Sequence, residues 1–360
     1  MCLYSRVCLY PFLVLLALPG CRSYRAARID WPQELAEWSD TSAARAPLTL
    51  EEARQCALIL NPGINALRLA RQTTERRALA AGWWEDPSFN IDAARVLRGG
   101  AHPWILGSGL SFTLPLNGVP GLEKRAAQAY VRADALAVTL AERELLAEVD
   151  RCWTACQTDL RCAAAQQAYK KRLQDRERSV LALIAMGELP KAEGDRIAQE
   201  LIRLDLDCAC CGAETVARKQ AFLRLLGLYP SAPLVLAEEE GAPTGFGEPP
   251  ASDLDLVRHS RVQEKLARFE ASEEELRAAL RKQYPDLVLG PLYENEEGGG
   301  RLGASLGLNL PLWNRNRKGI AEAEGGRAAA RLAAAHEWRG LVAEWREAQR
   351  LLEVAQAKEQ

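Results

Sequence analysis

The chain is poor in aromatic residues, nearly neutral, and without a long unbroken apolar run, and each shortage excludes something. Aromatics are 6% of the 360 residues, while Ala, Leu, Arg and Glu are abundant; that mixture favours long helices over a compact aromatic-rich core. A net charge of -2 provides no basic excess to displace counterions, so nucleic acid is not an expected partner. Three His and two Met make no metal-rich tract, and no CxxC is matched by a second one, so a zinc knuckle is not indicated. There is no phosphate loop, nucleophile motif or metal-ligand cluster. No catalytic, cofactor-binding or metal-binding residue is assigned, no cofactor is expected, and the chain reads as a non-enzyme.

The N-terminus reads as an export signal over residues 1–20. Arg6 precedes the apolar run Leu9–Leu18, which is interrupted by Pro11. That run is far shorter than the roughly 20 residues needed to cross a bilayer as a helix. It ends Leu18-Pro19-Gly20-Cys21, which resembles a lipobox and makes Cys21 the acylated first residue of the mature chain. An ordinary signal peptide with a coincidental cysteine is the alternative. Arg22, where Asp would retain a lipoprotein in the inner membrane, points to the outer membrane. Of ten cysteines, seven lie beyond Cys21, and an odd number in an oxidising compartment is a poor disulfide framework.

An internal repeat organises the rest. Asn61-Pro62 opens a helical stretch that Pro87 closes 26 residues later; His259-Ser260 and Pro285 have the same separation. Alternating segments follow, Ser88–Val96 and Asp286–Leu292, then glycine-bearing loops (Arg98-Gly99-Gly100; Gly298-Gly299-Gly300). A second alternating segment ends at Leu114-Pro115-Leu116 and again at Leu310-Pro311-Leu312, and Ala-rich helices restart near Gly121 and Gly319, 198 residues apart. The unit is helix, strand, loop, strand, helix, used twice. Its first copy is expected over 48–226, with strands at about 88–97 and 104–115; a Pro/Gly/Glu-rich linker over 227–252 separates it from a second copy at 253–360, and 21–47 is an extended N-terminal segment.

Alternation gives the strands two faces. Leu302, Ala304, Leu306, Leu308 and Leu310 oppose Gly303, Ser305, Gly307 and Asn309; Leu110, Phe112 and Leu114 oppose Gly109, Ser111 and Thr113; Phe89, Ile91 and Ala93 oppose Asn90 and Asp92. An apolar face backed by a small polar one suits a transmembrane barrel with lipid outside and water inside. Trp83, Trp84, Tyr284 and Trp313 flank the strands, as interfacial aromatics do. A soluble half-buried sheet shares the pattern. Four strands cannot close a barrel in lipid, so other copies of the chain must complete it. Residues 121–186 lack an interior proline and carry a seven-residue seam (Val131, Val138, Leu145, Cys152, with Ala135, Val149, Cys156 and Ala163 interleaved). Gly187-Glu188-Leu189-Pro190 turns the chain into a return helix whose seam is Ile197, Leu201, Leu204, Cys208 and Cys211, so 121–226 is a long antiparallel hairpin. The cysteine pairs Cys152/Cys156 and Cys208/Cys211 are read as small packing residues at different depths.

Leu48-Thr49-Leu50-Glu51-Glu52-Ala53, then Ala57 and Asn61-Pro62, resembles the opening of the outer membrane efflux (TolC-like) family. Leu310-Pro311-Leu312-Trp313-Asn314-Arg315-Asn316-Arg317 followed by Gly319-Ile320-Ala321-Glu322-Ala323 resembles its CzcC/CusC-like heavy-metal branch, and Met186-Gly187-Glu188-Leu189 resembles the periplasmic tip turn. The resemblance implies a mainly α fold with a small membrane β-sheet, assembled as a homotrimer with a 12-stranded barrel in the outer membrane. It further implies a passive exit duct whose tip (Gly187, Glu188, Leu189, Pro190) docks a periplasmic adaptor linked to an inner-membrane pump. Pro190 and Glu193 depart from the usual residues after the tip glycine. The repeat places a second tip near about position 385, beyond Gln360. The chain is therefore expected to be a fragment, a truncated product or a degenerate paralogue that does not support efflux alone. A structural or tethering envelope lipoprotein without transport activity is the competing expectation.

Overall fold

The two copies of the repeat are built by the same local devices, 198 residues apart. In the computed structural model, which describes residues 24–41, 47–95, 104–237, 252–296 and 299–359, Asn61 caps helix α3 (Pro62–Ala80). Its side-chain oxygen accepts from the N–H of Gly63 at 2.9 Å and of Ile64 at 3.2 Å. His259 caps helix α6 (Ser260–Arg281) through Nδ1, which accepts from Arg261 N–H at 3.3 Å. One turn on, the side-chain amide of Asn65 donates to the Ile59 carbonyl at 2.8 Å; that of Gln263 donates to the Val257 carbonyl, also at 2.8 Å. The signal segment, Cys21 and the glycine-bearing loops around 98–100 and 298 lie outside the described residues.

From the N-terminus the elements are α1 (Trp31–Thr41), α2 (Leu50–Leu60), α3, β1 (Ser88–Arg95), β2 (Trp104–Leu114), α4 (Val119–Ala185) and α5 (Lys191–Leu225). A 3-10 turn at Asp255–Arg258 then leads into α6, β3 (Leu287–Glu296), β4 (Gly299–Leu308) and α7 (Arg317–Glu359). Helix α2 starts with a capping box: Thr49 Oγ1 accepts from Glu52 N–H at 3.3 Å, and Thr49 N–H donates to the Glu52 carboxylate at 2.9 Å.

The four strands form one antiparallel sheet in the order β1-β2-β3-β4, so the joint between the two copies is the β2–β3 ladder. Register is continuous across it, with Leu106 opposite Asn295, Gly109 opposite Leu292 and Leu114 opposite Leu287. The ladder skips Pro291, which has no N–H to donate.

Beneath the sheet the helices form a wall in the order α3, α4, α6, α7, each antiparallel to its neighbour. Arg68–Glu142 (2.6 Å) joins α3 to α4; Arg125–Glu274 (2.9 Å), Arg132–Glu270 (2.7 Å) and Lys282–Glu123 (3.0 Å) join α4 to α6; Arg261–Glu337 (2.6 Å) joins α6 to α7. Such exposed pairs contribute little stability each, but they mark the register. Buried Ala126, Ala129 and Ala133 allow close packing of α4. At 67 residues α4 spans roughly 100 Å, and beyond the main core it runs on to the tip alongside α5, with Tyr169 donating to Glu200 at 2.5 Å.

The main core lies mid-way down α4. Ala53, Cys56 and Ala57 of α2, Val149, Trp153 and Cys156 of α4, and Phe222 and Leu223 of α5 close it with Leu226, Leu228 and Ala232. Three expectations change here. The extended segment 21–47 contains helix α1, started by Asp30, whose side chain accepts from Gln33 N–H at 3.3 Å. The first part of the expected linker is packed: Leu228 and Ala232 are buried, and Leu48 bridges Leu236 in parallel, with Leu48 N–H on the Val235 carbonyl at 2.7 Å. Within the hairpin, Trp153 is a central core residue, edge-on to Phe222 at 6.3 Å, while Ala163 and Cys211 of the expected seams are exposed. A coiled-coil seam assumes one partner, and around Trp153 α4 meets α2 and α5 together.

Candidate functional site

The sheet has two chemically different faces. Its pairing puts Phe89, Ile91 and Ala93 of β1, Trp104, Leu106, Leu110 and Phe112 of β2, Leu289 and Tyr293 of β3, and Leu302, Leu306 and Leu308 of β4 on one face. Those side chains are largely uncovered; Leu302 is 83% and Leu306 73% exposed in the single chain. The other face holds Ser88, Asn90, Gly107, Gly109, Ser111, Gly290, Gly303, Ser305 and Gly307, with Asp92, Glu294 and Arg301, and with the larger apolar Ile105, Val288 and Leu292 among them. Arg95, Ser108 and Asn295 share this first face, but a predominantly apolar face across four strands is costly in water and suited to hydrocarbon. At the helix end of the sheet, Trp83, Trp84, Tyr284 and Trp313 are all exposed. Toward the opposite end the Arg95 guanidinium lies 5.9 Å from the Trp104 ring centre. No helix among the described residues is long and apolar enough to cross a membrane.

The strand-to-helix turns are twins. At Leu114-Pro115-Leu116 the Leu116 N–H donates to the Leu114 carbonyl at 3.0 Å; at Leu310-Pro311-Leu312 the Leu312 N–H donates to Leu310 at 2.9 Å. Proline at the centre suits such a three-residue turn. Just before each new helix the chain goes left-handed, at Gly118 (φ 72°) and, 198 residues on, at Asn316 (φ 51°), preceded by Arg315 (φ 43°). Asn314 accepts from Arg317 N–H through its carbonyl at 2.9 Å, and the Asn316 side chain donates to the Ala279 carbonyl at 2.8 Å, tying the turn to α6. The residue that sequence reading missed is Asn117. It is buried, accepts from Val119 N–H at 3.0 Å and donates to Asp286 at 2.8 Å, joining the first turn to the root of β3. Leu116, Leu310, Leu312 and Trp313 stay exposed.

At the far end, Gly187 (φ 82°) ends α4. Gly187 N–H donates to the Ile184 carbonyl at 2.9 Å and Glu188 N–H to Leu183 at 3.0 Å, the paired bonds of a Schellman turn. Pro190 is the N-cap of α5, Leu189 is half-buried, and Gly187, Glu188 and Pro190 are exposed beside Met186. Gly194 is buried against Ile184, whose Cδ1 would lie 3.1 Å from any Cβ there, so the helices meet closely just behind the tip.

The thiols sit at separate levels. Cys152 and Cys156 belong to the main core, and Cys211 accepts a weak bond from Gln166 further toward the tip. Burial, then the neighbouring Cys152 and Asp159, push the Cys156 thiol up to about 11, which keeps it an unreactive thiol near neutral pH. No group of His, Cys, Asp and Glu that could hold a metal ion occurs among the described residues.

No family model matches the chain and no curated protein does at the level required. Solved structures do. CusC, described with its transmembrane channel formation, aligns with TM-score 0.69 and 15% identity over 86% of this chain and 76% of that one. A membrane protein from Pseudomonas aeruginosa gives 0.71 and 17% over 86% and 75%; the open MtrE outer membrane channel of Neisseria gonorrhoeae gives 0.63 and 14% over 86% and 75%. At these identities the likeness is one of fold: mostly helical with four antiparallel strands, the fold of TolC-like outer-membrane channels, which are not enzymes.

Proposed function

We propose that the chain is one subunit of a passive outer-membrane exit duct, assembled as a homotrimer and anchored by an acyl chain on Cys21. The observation that carries this reading is the sheet, predominantly apolar on one face over all four strands, mostly small or polar on the other, with β1 and β4 as its edges among the described strands. Three copies supply twelve strands, and an even number lets β4 of one copy meet β1 of the next antiparallel. The helical wall continues the polar interior away from the membrane, and the exposed turn at Gly187–Pro190 faces a periplasmic adaptor that couples the duct to an inner-membrane pump. The Leu310–Arg317 turn supports a heavy-metal or small toxic cargo through its resemblance to the CusC-like branch.

Purified chain in proteoliposomes tests the conduit. Swelling in isotonic solutions of small sugars is the expected result. Incorporation into the bilayer with no solute entry favours the tethering lipoprotein instead and overturns the conduit.

A further inference from the structure

On the polar face of the sheet three charged residues share one row, and Glu296 of β3 occupies the next row away from the helices, opposite Gly299. Asp92 stands opposite Gly107, Gly107 opposite Glu294, and Glu294 opposite Arg301, so a single line across all four strands holds two carboxylates and one guanidinium. The next rows toward the helices are uncharged: Asn90, Gly109, Leu292 and Gly303, then Ser88, Ser111, Gly290 and Ser305. Gly107 leaves a gap bordered by both acids, since a Cβ there would lie 3.5 Å from Asp92 Cβ and 3.8 Å from Glu294 Cγ.

We infer that this row is the charge filter of the duct, favouring inorganic cations over anions of similar size. The inference rests on the conduit reading above. Rings of charged side chains set ion preference in pores because they act on the passing ion at close quarters. Closing the sheet with further copies repeats the row around the lumen, each copy adding two negative charges and one positive. The sign of that ring does not depend on how β4 pairs with its neighbour. Wherever Arg301 falls relative to the next Asp92, one uncompensated carboxylate per copy remains. The row holds no ion in place; it biases which ions pass. Its reach is a Debye length, about 8 Å at 0.15 M salt and about 3 Å at 1 M, so the preference weakens as salt rises.

The test is the reversal potential of the purified full chain in planar bilayers under a KCl gradient. The parent chain is expected to prefer K+ at low salt. The double variant Asp92→Asn, Glu294→Gln is expected to lower the K+/Cl− permeability ratio to or below unity, and Arg301→Gln to raise it above the parent's. Both displacements should shrink between 0.1 M and 1 M KCl. Channels whose ratio is unmoved by all these changes overturn the filter and leave the conduit standing. A parent chain that inserts but never conducts overturns the conduit, and the filter with it.

Discussion

Gly290 shows how little freedom the sheet allows single residues. A Cβ at this position would lie 1.6 Å from the Leu110 carbonyl oxygen and 3.1 Å from Ser111 Cα, beside Pro291 where the ladder is already interrupted. Gly303, on the same polar face in β4, has nothing within 4 Å. Gly290→Ala is therefore expected to cost about 1–3 kcal/mol as an overpacking change and to lower the melting temperature of the folded protein, while Gly303→Ala stays within about 0.5 kcal/mol. Equal behaviour of the two variants would refute the close approach of β2 and β3. Cys21 belongs to the same scale but lies outside the described residues, so its role stands on Leu18-Pro19-Gly20-Cys21 alone. Cells fed a fatty-acid analogue should label the parent chain and not Cys21→Ala; label persisting on that variant means the acyl chain, if any, sits elsewhere.

Between elements, the charged group most enclosed by the helical wall among the described residues is Glu264 of α6, 5% exposed. It accepts from Arg268 and from Lys265 (2.8 Å), Arg268 reaches Asp134 of α4 at 3.0 Å, and Thr74 of α3 donates to Asp134 at 2.7 Å. Burial alone would raise the Glu264 carboxyl; the bonds from Lys265 and Arg268 together outweigh it and hold it below its ordinary 4.5. A depressed folded value means the group stabilises the fold above the unfolded value of about 4.3–4.5 and loses that contribution as pH falls through the folded one. Glu264→Gln should cost about 1.5–3 kcal/mol at pH 7 in denaturant unfolding, with the gap to the parent narrowing as pH falls from the unfolded carboxyl's range through the lower folded one. A gap independent of pH would mean that packing, not charge, is what Glu264 supplies. The network also marks the limit of what sequence conveys. The internal repeat made the paired caps at Asn61 and His259, the twin Leu-Pro-Leu turns and the two sheet faces legible, because each follows from local periodicity or turn chemistry. Asn117 on Asp286, Trp153 against Phe222, and Leu228 with Ala232 in the core were not legible. Each joins segments far apart in the chain, and nothing local to either partner marks the contact. Helix α1 went unread because eleven residues carry a weak periodic signal and Pro32, acceptable in a first turn, looks like a breaker.

At the scale of the whole molecule, the sheet decides what the chain must do. Among the described strands β1 and β4 are the outer ones, each paired on one side within the sheet, and lipid gives unpaired backbone groups no partner. Assembly through those edges can be detected without knowing the register. Within one sheet β1 and β4 are three strand spacings apart, about 14 Å, whereas a disulfide needs Cα atoms within about 7 Å. A bond between cysteines placed in β1 and β4 can therefore form only between copies. Ile91→Cys combined in turn with Leu302→Cys, Ala304→Cys or Leu306→Cys scans three registers on one face, with the parent chain as control for its own thiols. At least one combination should give dimers and trimers, and nothing larger, on non-reducing gels of extracted membranes, collapsing to monomer with reductant. A ladder continuing past three copies would replace a closed twelve-stranded barrel by another stoichiometry. Monomer in every combination would mean that β1 and β4 do not meet between copies, and that the apolar face is covered by something other than a ring of this chain in lipid.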